Sequence, residues 1–300
     1  MTENIHIIAQ GKSFPSRLAL ALQEKGHTVS CSGCIADMES DLSRAGVLLA
    51  PLSQLIDEGQ KVNMVAGDAV SENEEFALAE MEHLPVVSVF DLLASIIDEK
   101  AKVVECNSQN SGRILSLILY ALHKQSKKAD YVVDDCVGPF SRAVALSENT
   151  RICLLDGDLL LRIGQRNHKS NILILSSLRW KESEEYPTFE DYLEARHRLI
   201  STIDREGTLI YNQTVAVFQE WAETLREDIT ALPFKAHPYR RDGERVFLQY
   251  AKNEIELPFP CDENLLCDIS AARLACRQFG ITDKAFYEAV VSAHFLATQL

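Results

Sequence analysis

The sequence predicts an α/β protein of two units, each a doubly wound parallel sheet. Three observations carry this. Short apolar runs alternate with amphipathic stretches from residue 5 onward, the pattern of strands joined by right-handed helical crossovers. The length of 300 residues suits about two hydrophobic cores rather than one. The balance of 46% hydrophobic and 25% charged residues is that of an ordinary globular chain.

Each element follows from its local pattern. Ile5-His6-Ile7-Ile8-Ala9 reads as a strand, and Gly11 ends it before a helix near residues 17–24. That helix places Leu18, Leu20, Ala21 and Leu22 over its buried arc and stops at Gly26. His27 to Cys31, Val47 to Ala50, Val62 to Ala66 and Val86 to Ser88 continue as strands, with helices near 38–45, 74–82 and 90–98. The charged run Asp98-Glu99-Lys100 then interrupts the pattern, which places one domain at 1–98 and a second at 99–300. In the second, strands are expected at 103–106, 131–134, 142–146, 151–155, 171–175 and 207–211. Helices are expected at 114–124, 188–204, 213–227, 263–279 and 283–297, with a short hairpin over 240–258. Phe189, Tyr192, Leu193, Leu199, Ile200 and Ile203 fall on one helical face, a core stripe.

Charge narrows the partners. Thirty Lys and Arg against 44 Asp and Glu leave a net charge of −14. Nucleic acid is therefore not expected as the main partner, and an anionic membrane surface is not expected either. The polar start Met1-Thr2-Glu3-Asn4 shows no signal-peptide pattern, and the run Leu115 to Leu122 is too short to span a bilayer. Eight cysteines are too few for a disulfide scaffold, so reduced thiols in the cytoplasm are expected.

Two strand-to-helix turns stand where α/β proteins hold phosphates, at a helix N-terminus with unpaired N–H groups. The first is Ala9-Gln10-Gly11-Lys12-Ser13, with a single glycine. The second is Asn107-Ser108-Gln109-Asn110-Ser111-Gly112-Arg113. A working phosphate loop also needs a Lys for the terminal phosphates and a hydroxyl for Mg²⁺; here Arg113 and Ile114 stand there. Asp156-Gly157-Asp158 closes a strand, where paired carboxylates could hold Mg²⁺, and Asp134-Asp135 reads as a turn. Cys31-Ser32-Gly33-Cys34 is a C-x-x-C without a second pair. It reads as incidental thiols, a redox pair or part of a metal site.

In order, these segments resemble the Mur ligases, most closely the murein peptide ligase branch. His6-Ile7-Ile8-Ala9-Gln10-Gly11-Lys12-Ser13-Phe14 is similar to that branch's H-I-L-G-x-G-G-T-F opening. Gly26-His27-Thr28-Val29-Ser30, Gly67-Asp68-Ala69-Val70-Ser71 with Asn73 and Glu74, and Leu173-Ile174-Leu175-Ser176-Ser177-Leu178 followed by Pro187-Thr188-Phe189 continue it. Gly207 to Asn212 and Leu257 to Asn264 match later landmarks. The resemblance implies a Rossmann-like first domain that binds a UDP-sugar through Gln10, Gly11, Lys12, Ser13 and Phe14. It implies a P-loop-like central domain that uses ATP and Mg²⁺ through Asn110, Ser111, Gly112, Arg113 and Asn264, with metal at Asp156 and Asp158.

The departures are as informative. The family's G-T-H/N-G-K-T/S loop is here Gln109-Asn110-Ser111-Gly112-Arg113-Ile114, and its D-H metal motif is Lys181-Glu182. Its G-x-H-N-x-x-N stretch keeps only Asn264, and a third domain is not expected after Leu300. The expectation is a catalytically degenerate binding or regulatory protein of peptidoglycan metabolism, taking a UDP-N-acetylmuramyl-type nucleotide or a protein partner. The alternatives are an active ATP-dependent ligase with a non-standard site and a third domain supplied elsewhere, and a Cys31/Cys34 redox or metal protein.

Overall fold

The computed structural model describes residues 2–67, 73–97, 101–108, 110–133, 142–147, 149–157, 169–183 and 186–298. Two compact units emerge, Met1–Glu99 with Arg142–Thr150, and Lys100–Ser141 with Arg151–Leu300. The expected boundary at 98–100 lies outside the described residues, as do Asp68 to Ser71, Gln109, Asp134-Asp135 and Asp158.

In the first unit the elements run β1 (Asn4–Ile8), α1 (Ser13–Glu24), β2 (Thr28–Ser32), α2 (Ala36–Ala45), β3 (Leu48–Leu49), α3 (Leu52–Asp57), β4 (Met64–Gly67), α4 (Glu74–Met81), β5 (Val86–Ser88) and α5 (Val89–Ile96). All five strands are parallel, in the order β3-β2-β1-β4-β5. The order reverses between β1 and β4, the crevice where open α/β sheets place ligands. Strands buried on both faces are near-continuous apolar runs, and Ile5, Ile7 and Ile8 are at most 2% exposed. α3 was not expected, because its six residues carry too little periodicity.

The second unit begins with β6 (Lys102–Asn107), α6 (Ser111–Lys124) and β7 (Asp130–Val132). β8 (Val144–Ala145) lies in the segment grouped with the first unit. Then come β9 (Ile152–Asp156), β10 (Ser170–Leu175), α7 (Phe189–Ile200), β11 (Ile203–Asn212), α8 (Ala216–Glu223) and β12 (Thr230–Phe234). β13 (Tyr239–Asp242), β14 (Arg245–Tyr250) and β15 (Asn253–Glu256) form an antiparallel sheet, and α9 (Glu263–Arg277) and α10 (Asp283–Ser292) follow. The parallel strands run β12-β11-β10-β6-β9-β7, with β6 near the centre. α6 and α9 pack together, while Leu173, Leu175, Leu209 and Tyr211 meet Leu199 of α7 and Phe218 of α8.

Elements of the second unit also depart from expectation: the helix expected over 283–297 ends at Ser292, and a 3-10 turn follows over His294–Thr298. The helix expected over 188–204 starts with a capping box, Thr188 with Asp191, but ends at Ile200. The hydroxyls of Ser201 and Thr202 bond back to the carbonyls of Arg198 and Leu199, and β11 begins at Ile203. β12 carries Pro233, which hides a strand from propensity; an edge position with a single partner, β11, tolerates it. The expected hairpin over 240–258 is three strands.

Candidate functional sites at the heads of the two sheets

In the second unit, the loop after β6 sits at the C-terminal ends of the strands. Its backbone is largely satisfied from within. The Asn110 amide donates to Ser108 Oγ at 3.2 Å. The Ser111 amide donates to the Ser108 carbonyl at 3.1 Å, and the Arg113 and Ile114 amides donate to the Asn110 carbonyl at 3.0 and 3.2 Å. Ser108 Oγ also lies 3.1 Å from Ser177 Oγ, just past β10. The Ser176 amide donates to the Asn107 carbonyl at 3.3 Å, and Asn212 Nδ2 donates to the Ser176 carbonyl at 3.1 Å. Side chains thus lace the strand ends together, where a phosphate cradle would leave several amides pointing at a ligand.

Arg113 is directed inward. Its Nε–H donates to Asp268 Oδ2 of α9 at 2.5 Å, and its Nη2 lies 2.5 Å from the same oxygen without hydrogen-bond alignment. The two side chains are 9% and 2% exposed, so the pair is buried. Burial pushes the Asp268 carboxyl up to about 7, against the pull of Arg113. Ile114 is fully buried. Asn264 is exposed at the start of α9 and donates to Asp262, whose other oxygen caps the Leu265 amide. Asn264 and Asp268 are four residues apart on one helix and share a face.

Beneath the loop lies a polar cluster that sequence reasoning missed. Glu105 of β6 is fully buried and accepts from Asn107 Nδ2 at 3.0 Å. Asn107 Oδ1 is buried without a hydrogen-bond partner among the described residues. Gly157 permits this closeness, because a Cβ there would come within 2.0 Å of Asn107 Nδ2 and 2.7 Å of Glu105 Oε1. The signal was legible: a Glu inside Val103-Val104-Glu105-Cys106, two residues from Asn107, puts both on one face of a buried strand. Asp156 ends β9 and is buried. Lys181 and Glu182 are exposed.

In the first unit, the turn after β1 has left-handed backbone at Gln10 (φ 51°) and Gly11 (φ 71°). The Gly11 amide donates to the Gly33 carbonyl at 2.6 Å and the Lys12 amide to the Ala9 carbonyl at 2.9 Å. α1 then presents the amides of Ser13 and Phe14, and Pro15 has none. Lys12 and Ser13 are exposed, whereas the Phe14 ring stacks on Phe90 at 4.8 Å. Four of the five expected loop residues therefore line the surface turn, and Phe14 anchors it to the core.

Deeper in this sheet, His6 is fully buried, with Nδ1 2.9 Å from Ser30 Oγ and Nε2 3.1 Å from Glu75 Oε2. The Leu52 amide donates to the same Glu75 oxygen at 2.7 Å. Burial pushes Glu75 up, but these hydrogen bonds outweigh it and hold the carboxyl below its ordinary range. A carboxylate only accepts, so His6 Nε2 donates to Glu75. The group braces the start of α4 and α3 against β1. Among the described residues no group of three or more His, Cys, Asp or Glu could hold a metal ion. No helix among them is long and apolar enough to cross a membrane.

Comparison with known proteins places this geometry. No family model matches the chain. Among curated proteins, it is 25% identical to the UDP-N-acetylmuramate–L-alanine ligase of Synechococcus sp. (strain CC9902), over 95% of this chain and 63% of that protein. The corresponding ligase of strain CC9311 is 24% identical, over 96% and 62%. The chain thus spans about three fifths of the length of the curated relatives it matches. Among solved structures, the UDP-N-acetylmuramate:L-alanyl-γ-D-glutamyl-meso-diaminopimelate ligase of Neisseria meningitides superposes with a TM-score of 0.79 at 14% identity, covering 98% of both chains. A murein peptide ligase of Psychrobacter arcticus gives 0.77 at 14% identity, over 97% of this chain and 68% of that one. The UDP-N-acetylmuramate–alanine ligase of Thermotoga maritima gives 0.70 at 15% identity, with the same coverage.

Proposed function

We propose that this homologue of the UDP-N-acetylmuramate ligases serves peptidoglycan metabolism as a binding or regulatory protein that carries out no ATP-dependent ligation. The observation that carries this reading is the buried pair of Arg113 with Asp268. Phosphoryl transfer is almost entirely positioning and charge neutralisation of the phosphates. The one cation at the head of α6 is spent on a carboxylate, and the loop amides of Asn110, Ser111, Arg113 and Ile114 are bonded within the loop. Ile114 offers no oxygen to a metal. These residues do not fit a Mg²⁺–nucleoside triphosphate, and no step is drawn through one.

The first unit supports the ligand half of the reading. Its surface turn retains two helix-start amides beside Lys12 at the point where strand order reverses, enough for an anionic sugar nucleotide to be held without chemistry. Calorimetry tests both halves. Titration with ATP, with and without Mg²⁺, should give no binding heat up to millimolar concentration. Titration with UDP-N-acetylmuramate should give saturable binding, weakened by Lys12→Ala. Mg²⁺-dependent ATP turnover with a muramyl substrate, abolished by Arg113→Ala, would overturn the proposal.

A further inference from the structure

One motif of the first unit is not used by the proposed function. Cys31 is the fourth residue of β2 and 1% exposed; Cys34 follows the strand and is half-buried. The Cys31 thiol donates to the Ser32 carbonyl at 3.8 Å, and each thiol biases the ionisation of the other across the turn. Gly33 folds the chain back between them, with φ at +58°, and lies so close to the Gln10 backbone that a Cβ there would meet Gln10 N at 3.2 Å. The Ala9 and Gly11 amides donate to the Ser32 and Gly33 carbonyls at 2.9 and 2.6 Å. The Cys-x-x-Cys turn is therefore one wall of the turn after β1. It pairs a thiol that solvent reaches with one sealed in the sheet, the arrangement of an attacking and a resolving cysteine.

We infer that Cys31 and Cys34 form a two-electron thiol–disulfide site that accepts small-molecule disulfides. Cys34, deprotonated, attacks one sulfur of the oxidant RS–SR; the S–S bond breaks, the mixed disulfide Cys34–S–SR forms, and RS⁻ leaves and takes up the proton. Cys31 then gives up its proton and attacks the Cys34 sulfur, expelling the second RSH. In sum, two protein thiols become one disulfide and RS–SR becomes two RSH. Burial raises both thiols, Cys31 to about 12. The reacting thiolate is scarce at neutral pH, so the rate rises by about tenfold per pH unit. The site needs no nucleotide and stands whether or not one binds.

Intact-mass analysis tests the site on the full chain. Protein exposed to oxidised glutathione at pH 7, 8 and 9 is quenched in acid, and its tryptic peptides are mapped. Gly26 to Arg44, the peptide between Lys25 and Arg44, holds Cys31 and Cys34 and no other cysteine. It should lose about 2 Da, reversibly with dithiothreitol and about tenfold faster at pH 8 than at pH 7. One equivalent of phenylarsine oxide, which bridges neighbouring dithiols, should shield both from alkylation. Cys31→Ser should trap Cys34 as a stable glutathione adduct. No mass loss at pH 9 would overturn the inference, as would loss confined to other cysteines or absence of arsenical shielding. The main readouts are taken on the unmodified sequence, so a variant that fails to fold leaves them intact.

Discussion

Removing either member of the Arg113–Asp268 pair should cost unequal amounts, and the difference follows from proton chemistry. Asp268→Leu leaves a guanidinium 9% exposed with no counter-ion. Arginine cannot shed its proton in a protein, so the full penalty of about 3–5 kcal/mol for an orphaned buried charge applies. Arg113→Met strands a carboxylate instead. That carboxyl is already pushed up to about 7 by burial; without Arg113 it rises further and neutralises itself by binding a proton. The Met variant should therefore be the more stable of the two at pH 6. The sign of its pH dependence follows from linkage: a carboxyl raised in the folded state binds more protons there than in the unfolded chain. Stability then falls as pH rises from its unfolded value toward the folded one, by at most about 1.4 kcal/mol per pH unit. Urea melts of both variants at pH 6 and 8 measure this directly. The double variant Arg113→Met with Asp268→Leu, which buries two apolar groups, should recover most of the loss. Equal costs for the two single variants, or a Met variant more stable at pH 8 than at pH 6, would refute the reasoning.

Two further outcomes follow from other parts of the molecule. His237 is buried, donates from Nδ1 to the Pro238 carbonyl at 2.8 Å and accepts the Tyr287 hydroxyl at 2.6 Å. Burial holds its pKa below the usual 6.5, so its contribution to stability should be full above pH 6.5 and fall as pH drops below it; a difference in urea midpoint between the parent and His237→Gln that stays the same from pH 7 to pH 5 would contradict this. Gly157→Ala places a methyl within 2.0 Å of Asn107 Nδ2 and should cost roughly 1–3 kcal/mol by overpacking, read as a lowered urea midpoint with little change in slope.

The alternation of strands and helices was legible because parallel strands buried on two faces are mostly apolar, as Ile5, Ile7, Ile8 and Leu173 to Leu175 are. The end of α7 was not, since Leu199, Ile200 and Ile203 hold helical spacing while the hydroxyls of Ser201 and Thr202 terminate the helix locally. The two phosphate-type turns were found from their positions after strands and before helices. Their side-chain directions were not: nothing near Arg113 in sequence announces Asp268, 155 residues later. The role of Glu105 is not legible in sequence because a single charge in an apolar strand does not announce what it meets; that role rests on its face-mate Asn107 and on Gly157, which belongs to a neighbouring strand end.

The packing of α6 against α9 also constrains how the chain can be made. β6 and α6 leave the ribosome early, yet the carboxylate that receives Arg113 and the helices that cover α6 come from beyond residue 262. Until those residues emerge, α6 carries a guanidinium with no acceptor and an apolar flank with no cover. Such a nascent segment is a natural client for a holdase chaperone. The second unit should acquire protease resistance in one late step, near the release of α9, whereas the first unit closes on contacts made within the first hundred and fifty or so residues.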